Sequence, residues 1–134
     1  MIGTRIKFFR KKRKMTMNQL GVAVGFPESN ADVRISQYES GQRTPKAELL
    51  GKLAKLFEVS PDAIKTPDLD TIEGVMHTLF ILEDVYGLNI EIYDSNSEQL
   101  KREIDKWQGQ FSKLKYGLIS REEYDRWRYN YACR

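Results

Sequence analysis

Few side chains in this sequence could perform catalysis or bind a metal ion. The chain contains one histidine, His77, and one cysteine, Cys133, so it offers no obvious set of zinc ligands. Neighbouring carboxylates occur at Glu83-Asp84 and Glu122-Glu123, but adjacent residues on a helix point apart and make a poor acid–base pair. A single cysteine also excludes an internal disulfide and favours a reducing cytoplasm. We therefore expect no enzyme activity, no metal and no cofactor.

Phosphate binding is the chemistry that the charge distribution favours. Residues 1–65 contain 13 Lys and Arg against 6 Asp and Glu, a net charge of +7, whereas residues 66–134 contain 9 against 13, a net charge of −4. Because phosphate binding depends on local positive charge, the first half is the candidate for nucleic acid. The basic run at residues 10–14 has two compatible interpretations. Its cations stabilise a helix C-terminus, or they form an edge that contacts phosphates.

Two short predicted helices with a turn between them lie next to this basic run. Thr16 and Gln19 have the spacing of a capping box, which predicts a helix over residues 17–24. Gly25 tolerates a positive φ and is expected to end this helix. A second helix is predicted over residues 30–39. Its interior-facing residues are Val33, Ile35 and Tyr38. A helix, a turn and a second helix with basic residues nearby are typical of DNA-binding proteins.

Three further helices are predicted within residues 1–65. An apolar stripe at helical spacing predicts the first over residues 2–13. Thr44-Pro45 predicts the start of a fourth helix, and Ser60-Pro61 predicts the start of a short fifth one. Five short helices with brief connections make a compact all-α domain.

Residues 2–65 resemble the lambda-repressor-like, Cro/C1-type (XRE) helix-turn-helix domain. The residues that carry the resemblance are Arg5, Arg10, Thr16, Leu20, Gly25, Ile35, Glu39, Gly41 and Thr44-Pro45. The resemblance implies a five-helix domain that binds operator DNA, commonly as a dimer, with the third helix in the major groove.

The resemblance also implies roles for individual side chains. The base-reading positions are occupied by Val33, Arg34, Ser36 and Gln37. The phosphate-contacting positions are occupied by Lys14, Asn18, Gln42, Arg43 and Lys46. The arginine could bind guanine or a phosphate, and the glutamine could bind adenine. Val33 could instead lie in the core or contact a thymine methyl group. Arg10 and Glu39 match a structural ion pair between the first and third helices. Asp32 is better explained by the dipole of its helix than by DNA contact.

Three features depart from the family pattern. Met17 replaces the usual Gln, and Asn18 could supply the missing polar contact. Lys14 replaces the Gly that usually ends the first helix, so a left-handed conformation there would cost about 1 kcal/mol. The segment of residues 26–30 is about four residues longer than the common tight turn. This insertion either shifts the start of the third helix or adds a contact along the groove wall.

The second half is predicted to assemble the protein. The Thr-Pro-Asp sequence at residues 66–68 is the predicted domain boundary, because proline disfavours continuation of a helix. An apolar stripe predicts a helix over residues 69–86 that Gly87 ends, and alternation in residues 88–93 predicts one short strand. A lone strand has unpaired edges, so it must pair with another segment or with a second subunit.

Two helices are predicted to follow. Ser95 with Glu98 predicts the start of a long helix ended by Gly117, and Ser120 with Glu123 predicts the start of the last helix. The long helix has an apolar seam made by Leu100, Ile104, Trp107, Phe111 and Leu114. The residues predicted to form a dimer are Leu100, Ile104, Trp107, Phe111 and Trp127. Alternatively, the two helices form a hairpin that folds the aromatic residues of the last helix, Tyr124, Trp127 and Tyr131, onto this seam. Residues 113–127 also weakly resemble a short C-terminal oligomerisation motif found in some bacterial proteins.

These observations predict a mainly α protein, with a DNA-binding domain at residues 1–65 and a helical dimerisation or interaction region at residues 66–134. From the resemblance we expect a sequence-specific transcriptional regulator, a repressor, that binds double-stranded DNA as a homodimer on a pseudo-palindromic operator. The alternative is an antitoxin-like or other interaction module whose second half binds a partner protein. No apolar run could span a membrane and no signal peptide is indicated, so a cytoplasmic protein of a bacterium or phage is expected.

Overall fold

The chain forms two compact units, Met1–Thr66 (unit 1) and Pro67–Arg134 (unit 2). The computed structural model describes residues 2–65, 69–91 and 95–133. Over these residues it contains seven α-helices and one 3-10 helix, and no strand. The mainly α fold is therefore confirmed, whereas the boundary predicted at residues 66–68 lies outside the described residues. None of the described helices is both long enough and apolar enough to cross a membrane.

Among its described residues, unit 1 consists of four α-helices followed by the 3-10 helix. They are α1 (Ile2–Lys12), α2 (Met17–Ala23), α3 (Ala31–Glu39), α4 (Ala47–Phe57) and the 3-10 helix Pro61–Ala63. The predicted capping box begins α2, since the side chains of Thr16 and Gln19 each accept the other's backbone N–H. Lys14 and Gly25 both have the predicted positive φ, 55° and 103°. Local sequence signals thus set the ends of α1 and α2.

Two predicted helices in unit 1 differ from the structure. Thr44 does not cap α4, which begins at Ala47 after an extended Lys46 that makes no capping side-chain hydrogen bond. Pro45 is buried instead, so the segment before α4 packs into the domain rather than joining the helix. The fifth helix is only the single 3-10 turn Pro61–Ala63.

Glycine allows helix α3 to approach two other helices closely. A Cβ atom on Gly21 of α2 would lie 2.6 Å from the carbonyl oxygen of Ala31 and 2.7 Å from its Cβ. A Cβ atom on Gly3 of α1 would lie 2.7 Å from the carbonyl oxygen of Glu39. Backbones therefore touch at both ends of α3. The core beneath them includes Ile6, Phe9, Leu20, Ile35, Leu53, Phe57 and Ile64.

Unit 2 contains three α-helices among its described residues. They are α5 (Ile72–Tyr86), α6 (Glu98–Lys115) and α7 (Arg121–Tyr129). Gly87 caps α5 with a φ of 68°, and the predicted capping box of Ser120 and Glu123 begins α7. Ser97 rather than Ser95 caps α6, because its Oγ accepts the N–H of Leu100.

The prediction of a strand over residues 88–93 is wrong for the residues that the structure describes. Residues 88–91 form no strand, and residues 92–93 lie outside the described residues. The side-chain amide of Gln108 on α6 donates to the carbonyl oxygen of Ile90, and Ile90 packs against the core of unit 2. A helix side chain therefore supplies a hydrogen bond that a lone strand would lack.

The core of unit 2 contains side chains that the sequence assigned to a dimer. Its buried members are Met76, Phe80, Ile104, Trp107, Tyr124 and Tyr131. Ile104 and Trp107 are 2% and 0% exposed, so they are core residues of their own unit rather than surface available to a partner. Partly buried against the same core are Leu100, Phe111, Leu114 and Trp127. Residues of α5 and α7 cover the apolar side of α6, so the aromatic residues of α7 pack on the seam as the hairpin alternative predicted.

One buried arginine organises the polar interior of unit 2. Arg128 is fully buried, and its guanidinium pairs with Glu83, Asp84 and Asp125 at 3.2, 3.0 and 2.8 Å. Burial acts to lower the pKa of Arg128, but Asp84 and the other acidic groups beside it raise that pKa above its usual value. The Tyr124 hydroxyl donates to Glu83 at 2.7 Å. The bonds to Glu83 and Asp84 join α7 to α5.

Candidate nucleic-acid interface

Helix α3 has one face in the core and the opposite face in solvent. Ile35 is fully buried, and since each residue turns a helix by about 100°, Val33 and Gln37 lie on the far side. Val33 is 53% exposed, and Ser36 is exposed as well. Val33 is therefore not a core residue, so the prediction that it faces the interior is wrong. The outer face brings together Val33, Ser36 and Gln37, and Arg34 lies at its edge.

Arg10 of α1 fixes the C-terminal end of α3. Its Nε and Nη2 donate to the two carboxylate oxygens of Glu39 at 2.5 and 3.2 Å, and its Nη1 donates to the carbonyl oxygen of Met15 at 2.9 Å. The side chains of Arg10 and Glu39 are only 10% and 5% exposed. The predicted ion pair is present, and it joins α1, the segment after it and α3.

The N-terminal end of α3 uses Asp32 as a local hydrogen-bond acceptor. Its Oδ1 accepts the backbone N–H of Val33 at 2.8 Å, whereas the cap residue Asn30 makes no capping side-chain bond. A carboxylate in the first turn also suits the positive end of the helix dipole. This arrangement supports the structural interpretation of Asp32 over a contact with DNA.

Gln37 and Arg34 carry side-chain groups that the described part of the protein does not satisfy. The Oε1 atom of Gln37 is buried and has no hydrogen-bond partner. The backbone carbonyl of the same residue accepts the N–H of Arg43 at 3.1 Å, which ties the loop after α3 to the helix. Across the described ranges, the guanidinium of Arg34 meets no acceptor, and it lies beside the ring of Phe26, whose centroid is 5.9 Å from Cζ.

The longer turn at residues 26–30 is held by three hydrogen bonds. The N–H of Phe26 donates to the carbonyl oxygen of Gly21 at 2.9 Å, and that of Asn30 donates to Pro27 at 3.1 Å. The side-chain amide of Asn18 donates to the carbonyl oxygen of Glu28 at 3.0 Å. Asn18, predicted to contact phosphate, therefore supports the turn with its amide nitrogen.

Exposed basic and polar residues surround the loop between α3 and α4. The exposed residues among the predicted phosphate contacts are Lys14, Gln42, Arg43 and Lys46. Arg43 and Lys46 line one groove of about 490 Å³, together with Lys52 of α4. Lys52 also pairs with Glu48 at 3.5 Å, so one acidic group lies among these cations. Lys14 is not among the residues that line this groove.

The basic run at residues 10–14 divides between structural and solvent-facing roles. Arg10 points inward to Glu39, as described above. Arg13 donates to the carbonyl oxygen of Phe57 and to the carboxylate of Glu58, both at 2.7 Å. A cation at the C-terminus of a helix is favourable, but the helix concerned is α4 rather than α1. Lys11 and Lys14 remain exposed on the surface.

Three residues at this surface were missed by the sequence analysis. Phe26 and Tyr38 line the groove, with ring centroids 6.3 Å apart and planes at 21°, and Lys52 contributes a third cation. No sequence spacing places Lys52 beside Arg43, since they lie on different elements. For Phe26, the unusual length of the turn at residues 26–30 was the one sequence feature that pointed to a role at this surface. Within the described part of the chain, no cluster of His, Cys, Asp and Glu could hold a metal ion.

Comparisons with known proteins agree with this geometry. Residues 6–64 match the protein-family model described as helix-turn-helix, which confirms the resemblance predicted for residues 2–65. Repressor protein C2 of Salmonella phage P22 is 35% identical over 78 residues, which are 58% of this chain and 34% of that protein. The chain thus spans about a third of the length of this relative. The crystal structure of the transcriptional regulator BswR, 24% identical, superposes over 82% of this chain and 94% of its own with a TM-score of 0.51, which shows a shared fold.

Proposed function

Because residues 6–64 match a helix-turn-helix family model, we propose that this protein is a sequence-specific DNA-binding transcriptional regulator of the Cro/C1 type. It acts as a repressor and binds a pseudo-palindromic operator as a homodimer. Unit 1 reads the DNA, and unit 2 joins two copies. We expect no enzymatic activity.

The unsatisfied polar groups on the outer side of α3 are the observation that carries the proposal. A buried acceptor without a partner, such as Oε1 of Gln37, costs about 1–3 kcal/mol. Rotation of this amide towards a base edge would pair it with the donor and acceptor of adenine. The guanidinium of Arg34, which meets no acceptor in the described residues, can likewise bind guanine through two hydrogen bonds.

Phosphate contacts would hold α3 in register on the duplex. Arg43 and Lys46 are exposed next to the C-terminal end of α3, and the bond from Arg43 N–H to Gln37 links this loop to the reading helix. The net charge of +7 over residues 1–65 adds a sequence-independent attraction to DNA. Base contacts and phosphate contacts would therefore be made by adjacent residues of one rigid segment.

A homodimer would place two α3 helices in successive major grooves, about 34 Å apart. Ile104 and Trp107 cannot make this contact, because unit 2 buries them. Apolar surface remains at the turn between α6 and α7, where Tyr116 and Leu118 are each 74% exposed. We assign the dimer contact to this turn, which lies within residues 113–127.

Selection of bound DNA from a random pool tests the DNA-reading role. We expect the wild-type protein to enrich a pseudo-palindrome, and Gln37→Ala to lose preference at one base pair in each half-site. Gln99→Ala on α6, an exposed glutamine in unit 2, serves as the control and should enrich the wild-type sequence. A wild-type protein that enriches no sequence would refute the proposed function. An unchanged profile for Gln37→Ala would show that Gln37 is not a base reader.

Light scattering tests the homodimer. Leu118→Lys should halve the mass, because a lysine at the contact would bury charge, whereas Leu69→Lys, at a leucine that is 67% exposed, should leave the dimer intact. A monomeric wild-type protein, or a Leu118→Lys variant that remains dimeric, would contradict this assignment. A stable one-to-one complex with a different protein, formed through unit 2, would favour the antitoxin-like alternative.

A further inference from the structure

The longer turn at residues 26–30 places an aromatic ring against the outer edge of the reading helix. We propose that Phe26 is a positioning residue for base readout. Its ring holds the guanidinium of Arg34 in the orientation that meets a base edge, without touching DNA itself. This inference rests on the DNA-reading role proposed above, and it assigns a function to a segment that the family pattern does not contain.

Phe26 contacts two residues that lie one helical turn apart on α3. Its ring stacks on that of Tyr38, with centroids 6.3 Å apart and planes at 21°, and the Cζ atom of Arg34 lies 5.9 Å from its centroid. Since residues four apart on a helix share a side, one ring can cover both side chains. Phe26 therefore bounds the space in which the Arg34 side chain can move.

The turn that carries Phe26 is itself fixed. Hydrogen bonds join Phe26 to Gly21 on α2, Asn30 to Pro27, and the Asn18 side chain to Glu28. Two of these bonds tie the turn to α2, and the bond from Asn30 to Pro27 closes the turn on itself. The ring of Phe26 is thus held by the backbone around it as well as by its contact with Tyr38.

No hydrogen-bond acceptor in the described structure fixes the orientation of the Arg34 side chain. Asp32, the acidic residue nearest to it on α3, lies about 200° around the helix and binds the N–H of Val33 instead. A free arginine side chain would lose about 2 kcal/mol of rotamer entropy on binding a base. Contact with a ring face reduces this loss, and it leaves the N–H groups at the edge of the guanidinium available for a guanine.

Competition binding to the selected operator tests the proposal. The ligands are the operator and its single-base variants, and the proteins are Phe26→Leu, Arg34→Ala and the double variant. A cation–π contact at an exposed site contributes about 0.5–1 kcal/mol. Phe26→Leu should therefore lower discrimination about 2- to 5-fold at the one base pair where Arg34→Ala lowers it. The double variant should lose no more than Arg34→Ala alone, and Phe26→Tyr should restore the wild-type preference.

Phe8→Leu is the matched control, because Phe8 also lies beside an arginine, with Arg5 Cζ 4.8 Å from its ring, but on α1. It should leave the preference at every base pair unchanged, and thermal unfolding of each variant reports any general loss of stability.

Equal weakening of all DNA sequences by Phe26→Leu, or additive effects in the double variant, would overturn the positioning role. An Arg34→Ala variant that discriminates at every base pair as the wild type does would also overturn it, since Arg34 would then not read a base. A wild-type protein without sequence preference would instead refute the proposed function itself.

Discussion

The backbone contact between α2 and α3 predicts opposite effects for two Gly→Ala substitutions in unit 1. Gly21 lies where α2 touches Ala31, and an added Cβ would be 2.6 Å from a carbonyl oxygen and 2.7 Å from a Cβ atom. Gly51 lies inside α4, where an added Cβ would meet nothing within 4 Å. Both substitutions therefore add one methyl group to a helix of unit 1. At Gly21 the methyl group enters a contact between helices, and at Gly51 it enters open space.

The magnitudes follow from helix propensity and from the clash. Alanine in a helix interior is favoured over glycine by about 1 kcal/mol, so Gly51→Ala should stabilise unit 1 by nearly that amount. At Gly21 ordinary van der Waals contact would begin near 3.4 Å, so α2 and α3 would have to separate by about 0.8 Å. Overpacking of this kind costs about 1–3 kcal/mol, and its upper end applies because neither atom can rotate away. The net loss for Gly21→Ala is then about 2 kcal/mol.

Thermal unfolding of the full chain measures both effects. Unit 1 has the size at which 1 kcal/mol shifts the midpoint by about 4–8 °C, so circular dichroism should show Gly51→Ala rising by roughly 4–8 °C and Gly21→Ala falling by about twice that. Both tryptophans, Trp107 and Trp127, lie in unit 2, so tryptophan fluorescence provides an internal reference that neither substitution should change. The argument would be refuted if Gly21→Ala were as stable as the wild type, or if both variants rose together.

Three further substitutions test other contacts. Arg10→Ala should destabilise unit 1 by about 3–5 kcal/mol, because it leaves the carboxylate of Glu39 buried and unpaired. Chemical denaturation should show a smaller loss of stability for the double variant with Glu39→Ala, and equal losses would contradict this explanation. Arg43→Ala should reduce the slope of the log binding constant against log salt concentration by about 1, whereas Lys55→Ala, at an exposed residue in the last turn of α4, should not change this slope. An unchanged slope for Arg43→Ala would show that Arg43 does not contact phosphate. Arg128→Leu leaves three acidic groups around an apolar side chain and should lower the unfolding midpoint seen by tryptophan fluorescence, while a wild-type midpoint would show that the network contributes little to stability.

Local sequence signals predicted the elements of unit 1 to within a few residues. The capping box of Thr16 with Gln19, the positive φ of Gly25 and the end of α3 near Ser40 all involve residues at most four apart. Interactions of this range are encoded in adjacent residues and require no knowledge of the fold. The same reasoning explains why the capping box at Ser120 was found in unit 2. The pair of Arg10 with Glu39 spans 29 positions, and only the family resemblance made it predictable.

Tertiary packing decided the remaining features, because they depend on residues far apart in the sequence. Arg13 belongs to a basic run, yet its partner is the end of α4, 44 residues away. The spacing of Trp107 fits either a second subunit or a hairpin within the chain. The fold decides for the hairpin, because the indole N–H of Trp107 donates to Tyr124 of α7 and to Glu83 of α5. Periodicity shows that one side of a helix is apolar and not what covers it. In the same way, the family resemblance predicted Arg34 and Gln37 on a DNA-reading helix, whereas the contact of Phe26 with Arg34 depends on how the turn packs against α3.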